Sequence, residues 1–201
     1  MKYSSILSIA AVVMIWPVAA TAAPPQLKGT YAVTGTVQCL NSNLPFNANF
    51  TPATGSLVQS NRATFVGTDT FDGNGSGQMT VRSVGMSLPP GTPLLGINAS
   101  ASNVTAVLTY TFDASGGVSI NIVPGTYLLT NLTGPGVGGT STIDTLPLYG
   151  MASNDNKMIV LATPTTVMDT EINTPPGGGV GNTRYRLCHR SEVLIWIVNE
   201  R

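Results

Sequence analysis

The stretch Thr70-Phe71-Asp72-Gly73-Asn74-Gly75-Ser76-Gly77 decides the fold of this 201-residue chain. Asp, Gly and Asn at its centre favour a tight turn, and strand-like runs flank it on both sides. The same kind of turn recurs at residues 111–117 and again at residues 153–157. Hairpins repeated in series predict an antiparallel meander.

Alternation of side chains assigns an inner and an outer face to these strands. Tyr31, Val33 and Cys39 share one face of the first run, and threonines occupy much of the other. The hairpin side chains that we expect to face inward are Phe65, Phe71, Met79, Val81, Leu108, Tyr110 and Phe112. The carboxylate of Asp69 falls on the same face as Phe65. No helical periodicity occurs after residue 22, so the prediction is all-β: an antiparallel up-and-down β-barrel of about eight strands, or alternatively a two-sheet β-sandwich.

Two segments depart from this alternation. Residues 85–102 contain Pro89, Pro90 and Pro93, which exclude a central strand and predict a long loop or lid. Residues 193–198 are apolar on both faces. A strand of that kind is predicted to be covered on both sides by its own domain, with burial in a subunit contact as the alternative.

The N-terminal segment is typical of an export signal. Lys2 supplies a positive charge, residues 6–20 form a short apolar core, and Ala20-Thr21-Ala22 matches the A-x-A cleavage pattern. We therefore expect a signal peptide at residues 1–22 and a single β-barrel domain at residues 23–201. The apolar core is too short for an ordinary membrane span, so the protein is predicted to be exported to the periplasm or the medium.

The two cysteines of the chain are predicted to form a Cys39–Cys188 disulfide, because paired cysteines are the rule in exported proteins. In a closed barrel the first strand and the last strands are neighbours. The faces disagree, however, since Cys39 shares a face with Tyr31 whereas Cys188 shares one with Arg184 and Arg186. We expect a bulge, or a position at the end of the barrel, to reconcile them.

Charge is scarce, at 9% of residues, and the formal net charge is +0 at pH 7. This balance offers no electrostatic surface for nucleic acid. Alternation alone does not distinguish a soluble barrel from one in an outer membrane, but the threonine-rich faces are unlike a lipid-facing surface. The predicted partner is a small apolar ligand, and the chain is expected to be a monomer or a homodimer.

Three motifs were weighed as chemical sites. Residues 72–77 match the opening of a calcium loop, but Ser83 stands where a bidentate Glu is needed. Residues 134–139 spell G-x-G-x-x-G without a following helix to receive a phosphate. His189 is next to Cys188 on a strand, so the two side chains point to opposite faces. We therefore predict no cofactor, no metal site and no catalytic residue, and the chain is more simply interpreted as a non-enzyme.

Several stretches resemble a known group of proteins. Gly29-Thr30-Tyr31, the hairpin at residues 70–75 and the run Cys188-His189-Arg190-Ser191, followed by Val193-Leu194-Ile195, resemble small exported bacterial proteins of unknown function. Those proteins are similar to calycin-type or allene-oxide-cyclase-like barrels. The resemblance implies a barrel fold over most of the mature chain, and it implies no functional residue.

Three functions remain open. The first is binding of a small hydrophobic ligand inside the barrel, between Phe65, Asp69, Phe71, Met79, Leu108, Tyr110 and Phe112. The same side chains could instead fill the interior as a packed core. The second function is that of an isomerase or cyclase with Asp69 as its buried carboxylate, whose pKa burial would raise. The third is a structural or adhesive role in the cell envelope.

Overall fold

The computed structural model describes residues 25–88 and 97–197. The described residues form eleven antiparallel strands in one sheet and contain no helix. The strands are β1 Lys28–Ser42, β2 Val58–Asp72, β3 Ser76–Leu88, β4 Asn98–Phe112, β5 Gly117–Ile122, β6 Leu128–Asn131, β7 Thr140–Ile143, β8 Leu148–Ala152, β9 Met158–Ala162, β10 Val167–Thr174 and β11 Asn182–Trp196. The predicted signal peptide lies outside the described residues.

The sheet closes into a barrel because β1 pairs with β2 on one side and with β11 on the other. Two long strands each pair, along one edge, with two short strands. β4 pairs with β5 and β6, and β11 pairs with β9 and β10. Eight strands therefore surround the interior, in up-and-down order, and the prediction of an eight-stranded barrel is confirmed.

Three of the eight wall positions consist of two short strands instead of one long strand. The interruptions fall at residues 123–127, 144–147 and 163–166, and each contains a proline: Pro124, Pro147 and Pro164. Proline removes a donor from the ladder, so a strand stops where one occurs in a sheet. Residues 143–152, on the N-terminal side of the turn at residues 153–157, are divided between β7 and β8 for this reason.

The two ends of the barrel differ. Tight turns at residues 73–75, 113–116 and 153–157 close one end, called the turn end below. Asp72 accepts hydrogen bonds from the backbone N–H groups of Asn74 and Ser76, at 2.6 and 3.1 Å, which fixes the first of these turns. The other end, called the loop end, carries the longer connections at residues 43–57, 132–139 and 175–181.

The proline-rich loop is shorter than predicted. β3 continues to Leu88 and β4 begins at Asn98, so much of residues 85–102 is strand. The small polar residues at positions 85–88 and 98–102 are compatible with the ladder, although prolines are near them in the sequence. Residues 89–96, where the predicted lid would be, lie outside the described residues.

Residues 193–196 of the apolar run belong to a single strand, β11, whose two faces have different surroundings. Residue 198 of the run lies outside the described residues. Leu194 points inward and is fully buried, whereas Ile195 points outward and keeps 54% of its surface exposed. The prediction that the domain itself covers this run on both sides was therefore wrong for the outward face. β1 and β9 flank this part of β11 within the sheet, and they leave its outer surface open. The subunit contact stays a prediction.

The Cys39–Cys188 disulfide is confirmed, and the two residues are direct partners in the ladder between β1 and β11. Neither a bulge nor a position at the end of the barrel is needed. The expected conflict came from treating the face with Arg186 as the outer one. Arg186 in fact points into the barrel, where it forms ion pairs with Asp169 and Glu171.

Candidate functional site: the interior of the barrel

The residues predicted to bind an apolar ligand all point into the half of the barrel near the turn end. They belong to β2, β3 and β4 and are Phe65, Asp69, Phe71, Met79, Leu108, Tyr110 and Phe112. Edge-to-face contacts join Tyr31 to Phe71 and Phe71 to Tyr110, with ring centroids 5.6 and 5.3 Å apart. Packing of this kind leaves a cavity of only about 10 Å³ beside Asp69 and Leu108.

Leu27 covers the interior at the turn end. It is fully buried, and its backbone N–H donates to the Tyr110 hydroxyl at 3.1 Å while that hydroxyl donates to the Leu27 carbonyl at 2.9 Å. The Tyr31 hydroxyl donates to the Asn156 carbonyl at 2.8 Å, which ties β1 to the turn between β8 and β9. The side chains that alternation placed inside the barrel do lie together, and they form a filled chamber.

Asp69 lies above this chamber with 1% of its surface exposed, and its Oδ1 atom has no hydrogen-bond partner among the described residues. Burial raises the pKa of its carboxyl to about 7; the nearby Glu192 raises it further and Arg190 opposes the shift. A carboxyl with that pKa is suited to proton transfer. The surrounding space, however, does not admit a substrate-sized molecule.

Arg190 and Glu192 complete a charged layer across the middle of the barrel. Arg190 Nη2 lies 2.6 Å from Glu192 Oε2, and its guanidinium stacks 4.3 Å from the centre of the Phe65 ring. The same group contacts the Met79 sulfur at 3.5 Å. Both charged side chains are buried, so the pair separates the apolar half of the interior from the half near the loop end.

Arg186 forms a second cluster closer to the loop end. Its Nε atom is 3.3 Å from Asp169 Oδ1, and its Nη1 atom is 3.5 Å from Glu171 Oε1. The guanidinium also donates to the disulfide, at 3.4 Å from Cys39 Sγ and 3.1 Å from Cys188 Sγ. Burial raises the pKa of Asp169 to about 6, Arg186 opposes that shift and Glu171 adds to it.

The loop end of the interior is open and polar, with a cavity of about 270 Å³. Amide side chains from five strands line it: Asn41, Gln59, Asn61, Asn98, Asn131 and Asn173. Serines at positions where larger side chains would fill the space also line it, namely Ser83, Ser87, Ser100, Ser102 and Ser141. Arg186 forms part of its wall on the side of the disulfide. We call this space the loop-end cavity.

Several polar atoms of the loop-end cavity are left without partners inside the protein. Asn41 is 4% exposed, yet its Oδ1 atom has no hydrogen-bond partner among the described residues. The Nδ2 atom of Asn173 is also unpaired, although its Oδ1 accepts from the Ser141 hydroxyl at 2.6 Å. Because buried polar groups are normally satisfied, the cavity is arranged to receive hydrogen bonds from a guest or from water.

Sequence reasoning missed this cavity because it followed alternation only through the apolar parts of the strands. The phase that places Phe65 inward also places Asn61 and Gln59 inward, two and three positions of the same face nearer the loop end. Likewise the phase of Leu108 places Ser102 and Ser100 inward. Continued alternation with amides and serines on the core face is the signal that could have found it.

Comparisons with known proteins add little to this geometry. No protein-family model matches the chain, and no curated protein matches it significantly. Among solved structures, the outer membrane protein OprG from Pseudomonas aeruginosa is similar over 84% of this chain and 93% of its own chain, with 9% sequence identity and a TM-score of 0.27. A TM-score at that level carries no inference about function.

Within residues 25–88 and 97–197 no helix is long and apolar enough to cross a membrane. No group of three or more His, Cys, Asp or Glu side chains is arranged there to hold a metal ion.

Proposed function

We propose that the mature chain is an exported β-barrel protein that binds a small polar ligand in the loop-end cavity. The observation that carries the proposal is the side chain of Asn41, which lines a 270 Å³ cavity and whose buried Oδ1 atom has no partner among the described residues. Leaving such an atom unpaired costs roughly 1–3 kcal/mol, a cost that a bound donor group would remove. The cavity is slightly smaller than the range typical of ligand sites.

The ligand proposed here differs from the apolar one that the sequence suggests. An apolar guest would need the chamber between Phe71, Met79 and Leu108, where a cavity of about 10 Å³ remains. The same filling disfavours catalysis at Asp69, since a substrate would have to displace packed side chains. The resemblance to calycin-like barrels is compatible with this proposal, because the ligand would lie inside the barrel.

Export is supported by the signal-like N-terminal sequence and by the disulfide, which is typical of oxidising compartments. We place the protein in the periplasm or the medium. The outer face supports an aqueous surrounding, because Arg62 of β2 and Arg82 of β3 point outward and are exposed, each with a threonine beside it on that face. An arginine facing lipid at mid-depth would cost about 2–4 kcal/mol.

Native mass spectrometry of the mature protein purified from its own host tests the proposal. We expect an additional bound mass on the wild-type protein and its loss from Ser83→Phe, which fills the cavity from β3. Thr80→Phe, on the outward face of the same strand, is the matched control and should keep the bound mass. A wild-type protein without any bound mass, or a mass that Ser83→Phe retains, would favour a structural barrel instead.

A further inference from the structure

We infer that the ligand of the loop-end cavity is a neutral polyhydroxylated molecule of about the size of a monosaccharide. This inference rests on the proposed function and specifies the chemical class of its ligand. It follows from three properties of the cavity: the kind of polar groups in its wall, their charge balance, and the space that they enclose.

The polar groups of the wall are mostly neutral and of mixed hydrogen-bonding character. The Oδ1 atom of Asn41 needs a donor, and the Nδ2 atom of Asn173 needs an acceptor. A hydroxyl group can meet either need because it donates one hydrogen bond and accepts two. The serine hydroxyls of the wall are equally adaptable, so a molecule with several hydroxyl groups matches the set.

Most of the charge around the cavity is compensated. Arg184, Arg186 and Glu171 line the cavity, and Asp169, which is not part of the lining, pairs with Arg186 as Glu171 does. Arg186 is held between the two carboxylates, so its charge is already neutralised. Arg184 is exposed to solvent, so its charge is screened. A small anion would meet Glu171, and a small cation would meet the Arg186 guanidinium, so the wall favours a neutral guest over an ion of either sign.

The size and the lining of the cavity agree with a ring compound. Its volume of about 270 Å³ lies just below the range for drug-sized ligands. Tyr127, Val37 and Leu129 give part of the wall an apolar surface. The carbon face of a sugar ring can pack against an aromatic and aliphatic surface of this kind while its hydroxyls reach the amides.

Asn41 offers a test in which binding and stability move in opposite directions. Replacing it by leucine removes a buried acceptor that lacks a partner, so the unliganded Asn41→Leu protein should be at least as stable as the wild type. Binding should weaken by about tenfold or more, because the hydrogen bond to the ligand is lost. Asn103→Leu changes an exposed, outward asparagine of β4 and should leave binding unchanged.

The probes are glucose, galactose and N-acetylglucosamine, with succinate and putrescine as an anion and a cation of similar size, measured by isothermal titration calorimetry. We expect saturable one-to-one binding of at least one sugar, weakened in Asn41→Leu and retained in Asn103→Leu. Saturable binding of succinate or putrescine without any sugar binding would overturn the ligand class while leaving the proposed function intact.

A host-purified protein that carries a bound mass but binds none of the three sugars would likewise overturn the class. If the host protein carries no mass and no probe binds, both the class and the proposed function fail. Sugar binding that Asn41→Leu leaves unchanged would contradict the inference, since the assigned acceptor would then take no part.

Discussion

Arg190 and Glu192 form an ion pair on one strand, with Nη2 and Oε2 only 2.6 Å apart, because residues two apart on β11 share a face. That face is the inside of the barrel, and both side chains are buried. The pair therefore divides the interior into a packed apolar half and an open polar half. Breaking such a pair by removing one partner leaves an uncompensated buried charge, which is costly.

The first prediction concerns Asp69 above the packed half. Its pKa is raised from 3.8 to about 7, chiefly by burial, so folding favours its protonated form. The native protein therefore loses stability as the pH rises from about 4 to about 7. Asp69→Asn lacks that loss and should be more stable than the wild type at pH 8, by at most about 4 kcal/mol, and equally stable near pH 4. Urea unfolding at several pH values measures the difference.

Asp72→Asn is the control for that experiment, because the hydrogen bonds from Asn74 and Ser76 lower the pKa of Asp72. A lowered pKa stabilises the folded protein above pH 4, and this stabilisation is lost as the pH falls. Asp72→Asn should thus become less stable than the wild type as the pH rises, the opposite trend. Parallel pH profiles for wild type and Asp69→Asn would show that Asp69 is not buried as described.

The second prediction concerns the disulfide that joins β1 to β11 across 149 residues of sequence. Replacing Cys39 and Cys188 together by alanine should lower the free energy of unfolding by up to about 5 kcal/mol, because the unfolded chain regains the entropy of a long open loop. Urea unfolding of the double variant, compared with the oxidised wild type, gives this quantity. The reduced wild type should unfold near the same urea concentration as the double variant, and unchanged stability in both would disprove the prediction.

The third prediction compares two inward glycines. A Cβ atom at Gly35 would collide with the Phe65 ring and with the Ser191 carbonyl, whereas one at Gly85 would meet the Ala63 Cβ at 3.4 Å, an ordinary contact. Gly35→Ala should therefore lower the free energy of unfolding by about 1–3 kcal/mol, the usual cost of overpacking. Gly85 faces the loop-end cavity, so Gly85→Ala should change the free energy of unfolding little or raise it slightly. Equal effects in thermal unfolding would refute the assignment of a packed half and an open half.

The sequence by itself determined the architecture of the barrel and the composition of its apolar half. Period-two alternation is a local property of a strand, so Phe65, Phe71 and Met79 could be placed inside before any strand pairing was known. The hairpin turns were equally local, because Asp, Gly and Asn impose them. The disulfide needed only two cysteines and the expectation of a closed ring.

The tertiary structure alone decided which part of the interior is filled and which part is open. Whether the inward aromatics enclose a space or fill it depends on how side chains from eight wall positions interdigitate, which no single strand specifies. Asp169 and Glu171 meet Arg186 within the hairpin of β10 and β11, but only closure of the sheet turns that face of the hairpin into a buried interior. The polar cavity at the loop end exists because small and amide side chains from distant segments face one another there, and closure of the sheet brings them together.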